Sequence, residues 1–214
     1  GTLYIVATPI GNRNDISIRA LETLKQVDLI LAEDTRHSQP LLSSLGIQKT
    51  LSSLHAHNEA QKSETVIQAL RSGKSIALIS DAGTPLISDP GFPLVQKARL
   101  LGIEVVPIPG PCALIAALSA AGIPSDIFTF AGFLPAKEAA RKTRLEELKS
   151  LTHTLVFYES THRILDALGD IASVFGKDFK LVLAKELTKA FERFVTGSAL
   201  EIQVWLNEDK NRCK

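Results

Sequence analysis

Short runs of Val, Ile and Leu alternate along the first half of the chain with longer segments in which apolar residues recur at helical spacing. This pattern is typical of strands joined by crossover helices, and several runs lack the polar alternation of a solvated strand. It predicts a mainly parallel sheet covered by helices. The predicted strands are Leu3–Ala7, Asp28–Ala32, Thr50–His55, Ser75–Ser80 and Glu104–Ile108. The predicted helices are Ile16–Gln26, Ser38–Leu45, Glu59–Ser72 and Phe92–Leu101.

The pattern restarts at Ile127–Phe133, after Pro109-Gly110-Pro111 and a helix of small residues. We therefore predict two domains, an N-terminal α/β domain at residues 1–115 and a C-terminal α/β domain at residues 116–214. In the second domain two strands follow each other too closely for a crossover, which predicts a hairpin and a mixed sheet. The strands predicted there are Thr154–Tyr158, Leu181–Ala184 and Glu192–Thr196, and the helices are Ile164–Phe175 and a last one capped by Ser198 and Glu201.

Composition narrows the classes of protein to consider. Lys and Arg number 24 against 23 Asp and Glu, so a protein that grips nucleic acid by overall charge is disfavoured and an RNA ligand would need a local patch. Two cysteines, Cys112 and Cys213, favour a reducing compartment over a disulfide framework. We expect a cytoplasmic protein, with neither a secretory signal nor a membrane segment, and no metal site.

The unusual residues fall where predicted strands end, which is the edge at which open α/β sheets bind ligands. Neither a dinucleotide glycine motif nor a phosphate loop is present, because Gly83-Thr84-Pro85 lacks the lysine of the latter. The turns would suit a nucleoside without a polyphosphate. Carboxylates between Asp81 and Gly91 also favour a cationic ligand such as a sulfonium. The alternative is that Gly and Pro only build tight turns at the strand ends. The presence of four such loops at one sheet edge makes this alternative less favourable.

Six motifs, spread over nearly the whole chain, resemble the ribosomal RNA small subunit methyltransferase I branch of the tetrapyrrole methylase superfamily. The long version of the third motif distinguishes this branch from methylases of cobalamin and sirohaem precursors. The motifs are Thr8–Asn12, Ala32–Arg36, Ser80–Gly91, Pro109–Pro111, Phe157–Arg163 and Lys185–Lys189.

This resemblance implies a class III methyltransferase fold of two α/β/α domains, with S-adenosylmethionine folded into the cleft between them, and a homodimer. It also implies that relatives continue past the last residue of this chain, so that the second domain is truncated here. Cys112 stands where the family usually has Ser, which weakens any hydrogen bond made there. The implied donor contacts are Pro9, Ile10, Asp81, Thr84, Ile87, Ser88, Cys112, Ala113, Tyr158 and Ala184.

The implied reaction is methylation of the 2′-hydroxyl of a cytidine in 16S ribosomal RNA, within the small subunit. Such an in-line displacement needs positioning and a group that accepts the hydroxyl proton. Each candidate could instead serve structure, as a surface ion pair, helix cap or solvated strand end. The catalytic candidates are Glu33, Asp34, Arg36, Glu159 and Lys185, with Asp89 as a further base.

Three functions follow as hypotheses: the ribosomal RNA methyltransferase, a methylase of a tetrapyrrole or other small acceptor, and a donor-binding ribosome-assembly factor without turnover. A basic segment favours RNA, but a solvated helix would look the same. Its residues are Lys137, Arg141, Lys142, Arg144 and Lys149. His55 and His57 could suggest a metal, yet no third ligand is in view.

Overall fold

The computed structural model describes residues 1–213. The chain divides into two compact units, Gly1–Ala113 and a second unit that begins at Leu114. Each unit combines strands with helices, and the α/β class predicted from the pattern is confirmed.

The first unit contains a five-stranded parallel sheet whose strand order is β3-β2-β4-β1-β5. The predicted strands are all present, with ends displaced by no more than two residues. The strands are β1 Thr2–Val6, β2 Leu29–Ala32, β3 Leu51–Ser53, β4 Ile76–Ile79 and β5 Glu104–Ile108. The helices are α1 Ile18–Gln26, α2 Thr35–Ser44, α3 Glu59–Arg71 and α4 Phe92–Leu100.

Apolar clusters cover both faces of this sheet, as its uninterrupted apolar runs predict. One cluster joins strand residues such as Val6 and Ile30 to Leu24 and Leu42 of α1 and α2. The other joins Leu3 and other strand residues to helices α3 and α4. Because both faces are occupied, the strand ends are the part of the sheet left for ligands.

Helix α2 begins at Thr35, three residues earlier than predicted. The Asp34 side chain accepts a hydrogen bond from the Arg36 backbone N–H and caps the helix. An N-cap carboxylate satisfies one of the first N–H groups and thereby extends a helix into polar residues that carry no apolar period.

The second unit pairs its strands in two separate ladders rather than in one mixed sheet. β6 and β7 are parallel, and β8 and β9 form the predicted antiparallel hairpin. The strands are β6 Phe128–Phe133, β7 Thr154–Tyr158, β8 Lys180–Lys185 and β9 Arg193–Ser198. The helices are α5 Ala113–Ala120, α6 Glu138–Leu148, α7 Ile164–Phe175 and α8 Ala199–Asn207.

Helix α7 is central to the packing of this unit. Its residues Leu168 and Ala172 pack with α8 and the hairpin, and its residues Ala167 and Val174 pack with Leu145 of α6. The predicted capping box of α8 is present, because Ser198 and Glu201 exchange side-chain and backbone hydrogen bonds. A single amphipathic helix therefore supports both strand ladders.

Candidate active site

Three loops at the carboxyl edge of the first sheet are joined by hydrogen bonds. Thr8, after β1, and Gly83, after β4, exchange backbone hydrogen bonds of 2.9 and 3.0 Å. The Thr84 hydroxyl donates to the carbonyl of Pro111, after β5, at 2.9 Å. The structure thus brings together the segments that carry the predicted contacts Pro9, Ile10 and Thr84.

Two glycines permit this close approach. Gly83 has φ of 85° and a Cβ there would lie 3.2 Å from Ile10 Cγ2. A Cβ at Gly110 would lie 2.9 Å from the Ala7 Cβ. A side chain at either position would push these turns apart.

Asp81 ties a fourth loop to the same edge. Its Oδ1 accepts a hydrogen bond from the Asp34 backbone N–H at 3.1 Å, across 47 residues of sequence. This carboxylate therefore holds the β2 loop against the β4 loop rather than stabilising only its own turn. Asp34 in turn binds the Arg36 guanidinium at 2.9 Å.

The edge is acidic, and its carboxylates respond differently to that environment. The pKa of Glu33 is raised by burial and by the negative charges of Asp81, Asp89 and Asp34. Burial also raises the pKa of Asp89, although a hydrogen bond from Ser80 opposes the shift. Arg36 lowers the pKa of Asp34 to about 2, mainly by hydrogen bonding to its side chain. Among these groups Glu33 and Asp89 are suited to accept a proton, whereas Asp34 is occupied by Arg36.

The loop after β4 also contains backbone strain. Leu86 and Ser88 have φ of 70° and 72°, in the left-handed region that glycine ordinarily occupies. Non-glycine residues in this region are uncommon and cluster at ligand sites. Predicted contacts Ile87 and Ser88 lie in this segment.

In the second unit, Tyr158 ends β7 and its side chain has a defined role. The hydroxyl accepts a hydrogen bond from the Leu114 backbone N–H at 3.0 Å, in the first turn of α5. The ring packs edge-on against Phe130 and Phe133, at centroid distances of 4.8 and 5.6 Å. Tyr158 therefore positions the start of α5, close in sequence to the predicted contacts Cys112 and Ala113.

Glu159 follows Tyr158 and forms an ion pair with Arg163. Its Oε1 lies 2.8 Å from Arg163 Nη2, and the Glu159 side chain is 8% exposed. The Arg163 guanidinium also donates to the Leu134 carbonyl at 3.1 Å. Arg163 was not among the predicted site residues, and because both residues precede α7 the helical spacing rule does not predict the pair.

The predicted residues Ala184 and Lys185 lie at the end of β8, paired with Phe194 and Arg193 of β9. Lys185 Nζ donates to the backbone carbonyl of Arg212, in a 3-10 turn near the end of the chain. In this structure Lys185 therefore has a structural partner. Glu186, next to it, has φ of 52°, a second instance of left-handed backbone at a predicted site loop.

The predicted basic segment does not form a uniform cationic face. Arg141 is buried, and its Nε lies 2.6 Å from Asp170 Oδ2. The hypothesis that Arg141 contacts phosphate is therefore wrong, since its guanidinium is inside the unit. Three other cations of α6 and its cap lie near glutamates one turn away, at 2.5, 2.9 and 3.8 Å; they are Lys142, Arg144 and Lys149.

Sequence reasoning also missed Thr8, whose hydroxyl is buried and lies 3.4 Å from the Ser80 carbonyl.

Within residues 1–213, no group of three or more His, Cys, Asp or Glu side chains is placed to hold a metal ion. None of the helices in this described range is both long enough and apolar enough to cross a membrane.

The chain is similar to known proteins over its whole length. The sequence pattern of the family described as Tetrapyrrole (Corrin/Porphyrin) Methylases matches residues 2–203. The chain is 58% identical to the ribosomal RNA small subunit methyltransferase I of Haemophilus influenzae, over all of this chain and 76% of that protein. It is 56% identical to the protein of that name from Escherichia coli O157:H7, over 75% of its length.

Solved structures of lower identity share the fold. Diphthine synthase superposes with a TM-score of 0.73 at 15% identity, covering 95% of this chain and 84% of its own. Uroporphyrin-III-C-methyltransferase from Thermus thermophilus superposes with a TM-score of 0.66 at 21% identity. The superposition covers 94% of this chain and 87% of that protein. These acceptors differ widely, so the fold by itself does not specify the acceptor.

Proposed function

The chain belongs to the tetrapyrrole methylase family, and we propose that it transfers a methyl group from S-adenosylmethionine to a ribose 2′-hydroxyl of a cytidine in 16S ribosomal RNA. The coarser assignment, a methyltransferase, follows from family membership. The RNA acceptor is supported by the relatives named ribosomal RNA small subunit methyltransferase I, at 54–58% identity in six of the comparisons. We further propose a homodimer that acts in the cytoplasm.

The observation that carries the proposal is the acidic edge of the first sheet. Burial and mutual repulsion raise the pKa values of Glu33 and Asp89, so the edge stabilises a nearby positive charge. S-adenosylmethionine carries such a charge at sulfur and supplies an activated methyl group when bound. The close approach of the loops that Gly83 and Gly110 permit would leave backbone groups, rather than side chains, next to a bound donor.

Different residues of this edge would accept the hydroxyl proton and position the RNA. In the transfer, the ribose oxygen forms a bond to the methyl carbon as the carbon–sulfur bond breaks, and the hydroxyl proton must leave. Glu33 accepts that proton in our proposal, because its raised pKa makes it the stronger base. Asp34 positions Arg36, whose side chain is 90% exposed and available to the RNA backbone. Asp34 itself is a poor base because its pKa is about 2.

The proposal is tested by methylating small ribosomal subunits that lack the modification. Purified protein, labelled S-adenosylmethionine and subunits from cells without the gene should yield one ribose-methylated cytidine, identified by nuclease digestion and mass spectrometry. Asp81→Ala should weaken donor binding in calorimetry, because Asp81 holds the β2 loop to the β4 loop. Asp178→Ala is a matched control, since Asp178 is an exposed residue of the second unit, outside the predicted site residues.

Methylation of a porphyrinogen precursor in place of the subunit would favour the small-acceptor alternative. Donor binding without product on any subunit preparation would favour the assembly-factor alternative. Either result would overturn the proposed acceptor without affecting family membership.

A further inference from the structure

The loop after β4, residues 80–91, is held at both ends by hydrogen bonds to other parts of the first unit. Its first part is joined to the loops after β1, β2 and β5. At its other end, the backbone N–H of Gly91 donates to Glu59 Oε2 at 2.9 Å. Glu59 lies outside the predicted site residues and 32 positions before Gly91, so a residue distant in sequence fixes the end of the loop.

Glu59 is itself held in place, because it is the first residue of α3 and follows a tight turn. Its backbone N–H donates to the His55 carbonyl at 2.9 Å, and Asn58 Oδ1 accepts from the His55 backbone N–H at 2.9 Å. The Asn58 amide also donates to the Ser53 carbonyl, at the end of β3, at 3.4 Å. The carboxylate that binds Gly91 is therefore tied to the parallel sheet through β3.

Gly91 is buried and lies against the strained part of the loop. A Cβ there would lie 2.7 Å from Leu78 Cδ2 of β4 and 3.8 Å from Leu86 Cδ1. Leu86 and Ser88 have left-handed backbone, which persists in non-glycine residues only where surrounding contacts enforce it. The bond from Gly91 to Glu59 is one such contact, since it fixes the residue at which this segment ends.

We propose that Glu59 is a positioning residue for the methyl donor: its carboxylate fixes Gly91 and thereby holds residues 86–88 in the conformation that receives the donor. This inference rests on the proposed function, since the predicted donor contacts Ile87 and Ser88 lie in this segment. Glu59 acts through the backbone of Gly91 and does not touch the donor. A loop that is ordered in advance binds its ligand more tightly, because binding then does not include the free-energy cost of ordering the loop.

Two variants of Glu59 separate the hydrogen bond from the negative charge. Glu59→Asp keeps the charge at the start of α3 but shortens the side chain by about 1.5 Å, so that the carboxylate no longer reaches Gly91. Glu59→Gln removes the charge but keeps a carbonyl oxygen at the same reach. Glu64→Ala is the matched control, because it removes an ion pair with Lys97 that joins the same two helices, α3 and α4, without involving the loop.

Calorimetry with S-adenosylhomocysteine, the donor without its methyl group, should show affinity about 10-fold weaker for Glu59→Asp, the lower end for a hydrogen bond to a charged group. The lower end applies because the hydrogen bonds at the start of the loop remain. Glu59→Gln and Glu64→Ala should stay within about threefold of the wild type, since neither removes the acceptor for Gly91.

The kinetics of methylation separate positioning from stability. With small ribosomal subunits, Glu59→Asp should raise the KM for S-adenosylmethionine about 10-fold, whereas kcat and the KM for the subunit stay within about threefold. A role in stability alone would lower kcat through loss of folded protein and leave the donor KM unchanged.

Unchanged affinity of a folded Glu59→Asp protein, or an equal loss in Glu59→Gln, would overturn the inference. If Glu59→Asp does not fold, a crystal structure of the wild type with S-adenosylhomocysteine decides: we expect residues 86–88 against the ligand and Gly91 N within about 3.2 Å of Glu59 Oε2. A complex in which that bond is broken, or in which the ligand lies away from residues 86–88, would be contrary. A wild type that binds this ligand but methylates no RNA would sink only the proposed acceptor, and the affinities of the variants would still decide the role of Glu59.

Discussion

Replacing Arg141 with Met should destabilise the second unit severely, although Arg141 belongs to a segment that looks like an RNA-binding face. The Arg141 and Asp170 side chains are 5% and 9% exposed, and their Nε–Oδ2 distance is 2.6 Å. Arg141 Nη1 also donates to the carbonyls of Pro135 and Ala136, at 3.3 and 3.1 Å. Met fills a similar volume but leaves the Asp170 carboxylate and both carbonyls without this donor.

The expected magnitude follows from what remains around Asp170. Removing one partner of a buried ion pair costs about 3–5 kcal/mol because the other charge stays buried. Lys142 Nζ lies 3.5 Å from Asp170 Oδ1 and still offsets part of that charge. We therefore expect the lower end, about 3 kcal/mol, for Arg141→Met. Arg144→Met, which breaks an exposed pair on the same helix, should cost less than about 1 kcal/mol.

The chain has a single tryptophan, Trp205, and it lies in α8 of the same unit, so urea unfolding followed by its fluorescence reports on this unit. Asp170→Asn should lower the free energy of unfolding by a similar amount, although it removes no positive charge. The double change Arg141→Met with Asp170→Leu should recover much of it, because no unpaired charge remains. A small stability change for Arg141→Met, together with weakened RNA binding, would refute the assignment of Arg141 to the interior.

Gly91→Ala should destabilise the first unit by about 1–3 kcal/mol in urea unfolding, because Gly91 has φ of 122° and a Cβ would lie 2.7 Å from Leu78 Cδ2. Glu33→Gln should raise the thermal midpoint at pH 7 and slow methyl transfer, because the raised pKa means that ionised Glu33 destabilises the native state above its ordinary pKa of 4.5. Asp34 and Glu201 have pKa values lowered to about 2, so their stabilisation should persist at neutral pH and disappear as pH falls from about 4 towards 2, measured by acid titration of the thermal midpoint.

Most elements were predictable because their signals are local. Short uninterrupted apolar runs indicated the strands of the parallel sheet, and the apolar period of α7 gave both of its ends. Ser198 and Glu201 indicated the capping box before α8. Such features depend on residues a few positions apart, which is the range over which sequence patterns are informative.

For Arg141, the helical pattern and the charge lead to opposite predictions of burial. It precedes Leu145 and Leu148 by one and two turns, so it occupies the apolar stripe of α6, and all three are buried. Counting positive charges placed it on a surface, whereas its helical position predicts the interior. An ionisable residue in an apolar stripe is better interpreted as half of a buried pair, here with Asp170.

The site residues themselves were predictable only as a group. Parallel strands bring their carboxyl ends to one edge, so clustering of the loops follows from topology. Which carboxylate is paired, and which is left unsatisfied, depends on contacts across tens of residues, such as that between Asp34 and Asp81. The pair of Asp34 with Arg36 is local, but no local pattern specifies that Glu33 is left among the negative charges of Asp81 and Asp89.

Several of the places where local rules fail in this chain lie in the segments proposed to hold the donor. Leu86 and Ser88 adopt backbone conformations that favour glycine, and Glu33 has a raised pKa. Each of these features costs free energy in the isolated chain, and a fold selected only for stability would remove them. A bound cation relieves the second feature directly, since it offsets the negative charge at Glu33. The same groups that lower the stability of the free protein would thus supply affinity for a positively charged donor, which is the physical basis for assigning them to one ligand.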